Sequence, residues 1–328
     1  MLEAKGIKKT YKVKYREKKL GFKKTEYKEA VKEVNIKVDH GQIVGLLGVN
    51  GAGKTTTIKM LTTMIEPTEG SIMIDGLDVV KEPMKGKEKL NLITGGERNI
   101  YWRLTAKENL QYFGRLYGIP EKELSGRIDE ILKIVNLDDV KNVAVEKYSK
   151  GMKQRLQIAR GLINNPDYIF LDEPTLGLDI LIARELRNYV KKLATEEKKG
   201  ILLTTHYITE AEELCDYIYV INDGEIVTEG KAEDLKRQYT VKKRTNIEMV
   251  AVSEQLLEKM KQLNNDTTDI TYNEEKNQFE IVSQDEIIVD AIAIINECNC
   301  QMTKVVSMEP SLEDALFNVL GGANEKLV

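Results

Sequence analysis

Gly48-Val49-Asn50-Gly51-Ala52-Gly53-Lys54-Thr55 sets three glycines, a lysine and a hydroxyl within eight residues, between an apolar run and a helical pattern. Glycines at 48, 51 and 53 let the backbone turn its N–H groups inward, a nest for phosphate oxygens that bulkier residues would obstruct. A helix beginning near Lys54 would aim its N-terminal partial charge at the same oxygens. Lys54 can then carry a full charge to the β- and γ-phosphates, the Thr55 hydroxyl can ligate Mg²⁺, and Thr56 can hold the α-phosphate. The expected ligands are a nucleoside triphosphate and Mg²⁺.

A second group lies at the end of another apolar run, Ile169-Phe170-Leu171-Asp172-Glu173. An α/β sheet presents such strand ends to its ligand crevice, and paired acids there make sense beside a cation. Asp172 is expected to reach Mg²⁺ directly or through water, and Glu173 to orient and deprotonate an attacking water. His206 follows the run Ile201 to Leu203 and two threonines, so it too ends a strand, where a donor to the γ-phosphate is useful. His40, beside Gly41, reads as a structural histidine in a turn.

The elements that must hold these groups alternate in type. Short β-rich runs and longer helical patterns from about 30 to 230 predict a mostly parallel sheet with crossover helices, an α/β fold. Residues 105–165 show no strand pattern; Ile128, Ile131, Leu132 and Val135 recur at helical spacing and predict a helical lobe, about 98–165. Gly224-Glu225-Ile226-Val227 and Gly230 mark a closing hairpin, and Leu235-Lys236-Arg237-Gln238 reads as a linker helix. The expected division is a cassette over 1–232, a linker over 233–245 and a small α+β domain over 246–328. In the last, strands at 246–252, 268–273, 277–283 and 301–307 with helices at 253–264 and 285–297 give a ferredoxin-like order, closed by a helix from about Ser311.

Composition narrows the field. Against 53 acidic residues stand 49 basic ones, a net charge of −4, which argues against nucleic acid as a partner. The three cysteines, Cys215, Cys298 and Cys300, are too few for a disulfide framework. No apolar run approaches the roughly 18 residues that span a bilayer, so any membrane role needs another chain. One stretch is locally basic: Lys12, Lys14, Arg16, Lys18, Lys19, Lys23, Lys24 and Lys28 face only Glu17, Glu26 and Glu29. The segment 12–32 reads either as a solvated loop or β-hairpin, or as a patch for lipid headgroups or a membrane partner.

Taken in order, these motifs resemble the ATP-binding cassette of ABC transporters, a phosphate-loop NTPase fold, over about residues 2 to 232. Tyr148-Ser149-Lys150-Gly151-Met152 is similar to that family's Leu-Ser-Gly-Gly-Gln signature. The resemblance implies that Ser149 and Gly151 bind the γ-phosphate held by the opposite subunit, that Leu176-Gly177-Leu178-Asp179 is the D-loop, and that His206 is the switch histidine. Tyr11 corresponds to the aromatic that stacks on adenine, with Tyr15 and Tyr27 as alternatives. The Q-loop glutamine should fall at Gly96, where Glu97 or a water would have to substitute. The Gly-Gly-Glu-Arg string, Tyr101-Trp102-Arg103-Leu104-Thr105, Lys-Gly-Met and Glu309-Pro310-Ser311-Leu312-Glu313-Asp314 are similar to cassettes of ABC-2-type exporters. That likeness implies an ATPase at the cytoplasmic face of the membrane. It would work as a head-to-tail homodimer, or paired with a second cassette, and power a separate integral-membrane permease that exports an antibiotic, peptide, lipid or ion.

Overall fold

A computed structural model describes residues 1–16, 23–94, 100–176, 178, 180–239, 243–283, 287–308 and 311–321. The chain divides into two compact units, Met1–Lys231 and Ala232–Val328.

The first unit opens with a hairpin of β1 (Leu2–Arg16) and β2 (Lys23–Val38), antiparallel from Leu2↔Val38 to Arg16↔Lys23. Then come β3 (Ile43–Leu47), α1 (Lys54–Leu61), β4 (Glu69–Ile74), β5 (Leu77–Asp78), α2 (Pro83–Lys89) and β6 (Leu90–Thr94). The lobe consists of α3 (Ala106–Leu116), α4 (Glu121–Ile134) and α5 (Lys150–Leu162). The chain returns through β7 (Tyr168–Asp172), α6 (Ile180–Thr195), β8 (Gly200–Thr205), α7 (Ile208–Leu214), β9 (Tyr217–Asn222) and β10 (Glu225–Gly230).

These strands make one ten-stranded sheet, β5-β4-β1-β2-β10-β9-β3-β8-β7-β6. Its half from β9 to β6 is parallel, as the alternation predicts. The other half is a mainly antiparallel wing: β1 and β2 pair as the β-hairpin that was one reading of residues 12–32, and β4 adds to β1, which the periodicity does not announce. In the parallel half alternate residues serve two cores. Ile169, Leu171, Ile201 and Leu203 pack with the lobe and α6, whereas Phe170, Leu202, Val44 and Leu46 pack toward α1 and the wing. Burial on both faces explains why these strands read as unbroken apolar runs, each such side chain contributing about 1.5–3 kcal/mol. In the lobe, α3 starts in a capping box: the Glu108 N–H donates to Thr105 Oγ1 at 3.2 Å and the Thr105 N–H to Glu108 Oε2 at 2.8 Å.

The second unit begins with α8 (Ala232–Tyr239), followed by β11 (Lys243–Met249), α9 (Glu254–Gln262), β12 (Thr268–Asn273), β13 (Gln278–Ser283), α10 (Ile288–Glu297), β14 (Met302–Met308) and α11 (Leu312–Gly321). Its four strands are ordered β12-β13-β11-β14, all antiparallel neighbours, with Ile247, Phe279, Ile281, Leu256 and Ala291 in the core. Where a linker was expected, α8 packs on α11 instead and Leu235 is buried. One apolar side chain per turn is enough to recruit that helix into the unit, and the first strand starts at Lys243 rather than 246. All three cysteines are free.

Candidate active site

The turn after β3 is held in a shape that only its glycines permit. Gly51 and Gly53 have φ of 87° and 111°, in the left-handed region. Gly48 is constrained by space: a Cβ there would lie 2.2 Å from the carbonyl oxygen of Ile221 on β9. The loop is hung from neighbours distant in sequence. The Gly224 N–H donates to the Ala52 carbonyl at 2.9 Å, and the Lys32 N–H donates to the Gly224 carbonyl at 2.9 Å. The Asp223-Gly224 turn between β9 and β10, with φ of 51° and 82°, thus clamps the loop between β2 and the sheet.

Gly48→Ala is accordingly expected to shift this loop or β9. Overpacking costs of about 1–3 kcal/mol translate into a melting temperature lower by roughly 2–10 °C, read by calorimetry; an unshifted transition would refute the steric account.

Lys54 opens α1 and is buried, 6% exposed. Its ammonium donates to the carbonyls of Gly48 at 2.6 Å and Val49 at 3.1 Å. Burial lowers its pKa, and the charges of Glu173 and Asp172 partly restore it. The lysine and both acids therefore share one electrostatic site, although they are far apart in sequence.

The acids are fixed through β8. Asp172 pairs with Thr204, whose hydroxyl donates to Asp172 Oδ1 at 2.7 Å. The Glu173 N–H donates to the Thr204 carbonyl at 3.1 Å and to Thr204 Oγ1 at 3.2 Å. Glu173 has φ of 51°, a conformation costing a non-glycine residue about 1–2 kcal/mol, which those bonds offset. His206, beyond the end of β8, brings Nδ1 to 3.2 Å from Glu173 Oε1.

A cleft of about 410 Å³ is lined by Asn50, Gly51, Gly53, Lys54, Thr55, Thr56, Glu173 and also by Tyr11, Lys28, Glu29, Ala30, Asp223 and Gly224, with Asp172 and His206 behind Glu173 rather than on the cleft wall. Tyr11 is thus brought to the loop by the hairpin, cross-strand from Lys28. Tyr27 is not among the lining residues, and the side chain of Tyr15 lies outside the described residues. Lys28, Ala30, Asp223 and Gly224 escape a reading of local motifs. Gly224 and Gly230 signalled a hairpin, but not that the hairpin would hold the loop.

Ser149 and Gly151 stand apart, neither lining the cleft. Ser149 is exposed and caps α5, its Oγ accepting from the Met152 N–H at 3.2 Å. Gly151 is buried, and a Cβ there would meet Ile182 Cδ1 at 2.2 Å. Gln154, also buried, donates to the Pro174 carbonyl at 3.0 Å, tying the signature helix to the turn that follows the two acids. Asp179 of the expected D-loop, and Gly96 and Glu97 at the expected Q-loop, lie outside the described residues.

Residues 31–176 match the family model described as "ABC transporter". The chain is 44% identical to the ABC transporter ATP-binding protein NatA of Bacillus subtilis over 63% of its own length and 84% of that protein's. It is 31% identical to the linearmycin resistance ATP-binding protein LnrL of the same organism, covering 98% of each. Among solved structures, it resembles a dimeric ATP-binding cassette in a post-hydrolysis state with ADP and phosphate. That likeness has a TM-score of 0.61 and 30% identity, over 70% of this chain and 98% of that one.

Proposed function

This chain belongs to the ABC transporter family as an ATP-binding, ATP-hydrolysing subunit, and on that premise we propose how its residues divide the work and whom it works with. Nucleotide lies in the cleft, adenine on Tyr11 and the phosphates along Val49 to Thr56, with Lys54 leaving its apo carbonyl partners for the β- and γ-phosphates. The Thr55 hydroxyl and the Asp172 carboxylate are the hard oxygen donors that Mg²⁺ takes. When bound, that cation neutralises charge on the β- and γ-oxygens. Glu173 holds the attacking water and takes its proton; His206, hydrogen-bonded to Glu173, faces the γ-phosphate and keeps the carboxylate oriented.

The observation that carries the dimeric reading is the separation of Ser149 from the cleft, joined to exposed apolar side chains beside the D-loop. Ile180 is 84% exposed and Leu181 74%, a cost in water that a second copy would relieve. In a head-to-tail pair, Ser149 of each copy completes the other's site.

A permease would dock on the lobe. Among the described residues no helix is long and apolar enough to cross a membrane, while Tyr101, Trp102, Tyr112, Leu116 and Tyr117 of the lobe are each 43–70% exposed. Tyr112 and Leu116 border a groove of about 440 Å³ with Leu104, Glu108, Gln111 and Arg115. Tyr101 and Tyr112 meet edge to face at 4.9 Å, so the patch is preformed for a hydrophobic helix. The subunit sits peripherally on the cytoplasmic side, and the cargo to be exported is an antibiotic, peptide, lipid or ion, the antibiotic favoured by the name of the linearmycin resistance relative.

Leu116→Glu tests the dock. A buried carboxylate at its centre is expected to abolish co-purification of this subunit with its membrane partner. Retained co-purification would place the permease elsewhere. Since Leu116 is 70% exposed, the melting temperature of the isolated subunit should barely change.

A further inference from the structure

Trp102 is the sole tryptophan of the chain, and it connects two parts of the lobe that the proposed function keeps separate. Trp102, 47% exposed, follows Tyr101, which packs on the groove residue Tyr112, and it carries a cation contact of its own through the indole. The Lys153 ammonium lies over that ring, 4.3 Å from its centroid. Lys153 belongs to the first turn of α5, four residues after the cap Ser149 and thus directly above it on the helix. The backbone around Trp102 is zipped to the segment leading into that cap. The Glu146 N–H donates to the Trp102 carbonyl at 2.8 Å and the Val145 N–H to the Leu104 carbonyl at 3.0 Å, with a bridge between Thr105 and Ala144. Tyr148, next to Ser149, is buried and anchored by its hydroxyl to the Val140 carbonyl at 2.7 Å. The α5 N-terminus is thus tied to the indole by both a backbone ladder and a cation–π contact.

We infer that Trp102 and Lys153 are positioning residues that relay occupancy of Ser149 by the opposite copy's nucleotide to the permease-docking patch. The inference rests on the sandwich reading above. Ser149 feels the γ-phosphate only when the pair is closed; the first turn of α5 then shifts, and Lys153 slides over the indole face. The patch would so present a different surface in the closed and open states, the differential contact that coupling requires.

The single tryptophan of these 328 residues makes this measurable in the intact chain without a permease. A charge this close to an indole shifts its emission, so sliding of Lys153 should be visible directly. Mg-ATP titrated into Glu173→Gln protein is expected to move the Trp102 emission in step with dimer formation followed by sedimentation. Adding Lys153→Met should remove the emission change while dimers still form, and Lys153→Arg, which keeps the cation, should restore it. An ATP-dependent dimer with silent emission, or a Lys153→Met response equal to the parent's, overturns the relay and leaves the sandwich standing. Loss of dimerisation in Lys153→Met with retention in Lys153→Arg also overturns it, by assigning the charge to the sandwich itself. Absence of any ATP-dependent dimer removes the sandwich and the relay together.

Discussion

Glu173→Gln is expected to lower steady-state ATP hydrolysis by about 10²–10⁴-fold, the range for loss of a general base, while ATP still binds. The amide replaces the carboxylate atom for atom and can still meet His206, 3.2 Å from Oε1 in the native protein. It cannot accept a proton. The left-handed backbone at residue 173 and its two bonds to Thr204 do not involve the side chain, so the strand end should keep its geometry. A single-turnover assay with bound ATP, rather than steady-state rate alone, isolates the chemical step. The same variant should accumulate as an ATP-dependent dimer, because the phosphate bridging the copies is not removed. Unchanged turnover would mean that Glu173 is not the base.

Lys54→Met is expected to weaken ATP binding by roughly a hundredfold, or about 2.7 kcal/mol, in line with a lost charge-assisted bond to phosphate. Methionine retains most of the aliphatic stem, so the effect isolates the ammonium. The structure adds a consequence in the absence of nucleotide. That ammonium satisfies the Gly48 and Val49 carbonyls and is the charge that Asp172 and Glu173 face. Its removal leaves two acids close together without their cation, so the apo protein should also melt at lower temperature. Titration calorimetry with ATP reads the first effect, and differential scanning calorimetry the second. An unchanged affinity would place the phosphates outside this loop.

The legible part of the site consists of motifs that are complete within one strand and one turn. Gly48 to Thr56 could be read because the nest demands glycine at particular positions, and because the switch from β to α periodicity is visible in a single window. Asp172 and Glu173 could be read because charge at the end of an apolar run is costly unless it serves a ligand. The lobe was legible from helical spacing, and so was the order of elements in the second unit. The antiparallel wing, the recruitment of α8 and the pendant role of the Asp223-Gly224 turn were not, for each depends on a pairing between segments that carry no mutual mark in sequence.

By itself the sequence named the candidate groups: a glycine turn with a lysine and hydroxyls, two acids at a strand end and a histidine at another. Local backbone preference and the cost of burying charge are sufficient for that. Tertiary structure alone decided which side chains share a space. It placed Tyr11 and Lys28 against the loop through the β1–β2 hairpin. It drew Glu173 and His206 together across two strand ends, and left Ser149 outside the cleft. It also laid Lys153 over Trp102. These proximities arise from sheet order and helix packing, sums of many weak contacts between distant segments, and no local pattern of residues encodes them.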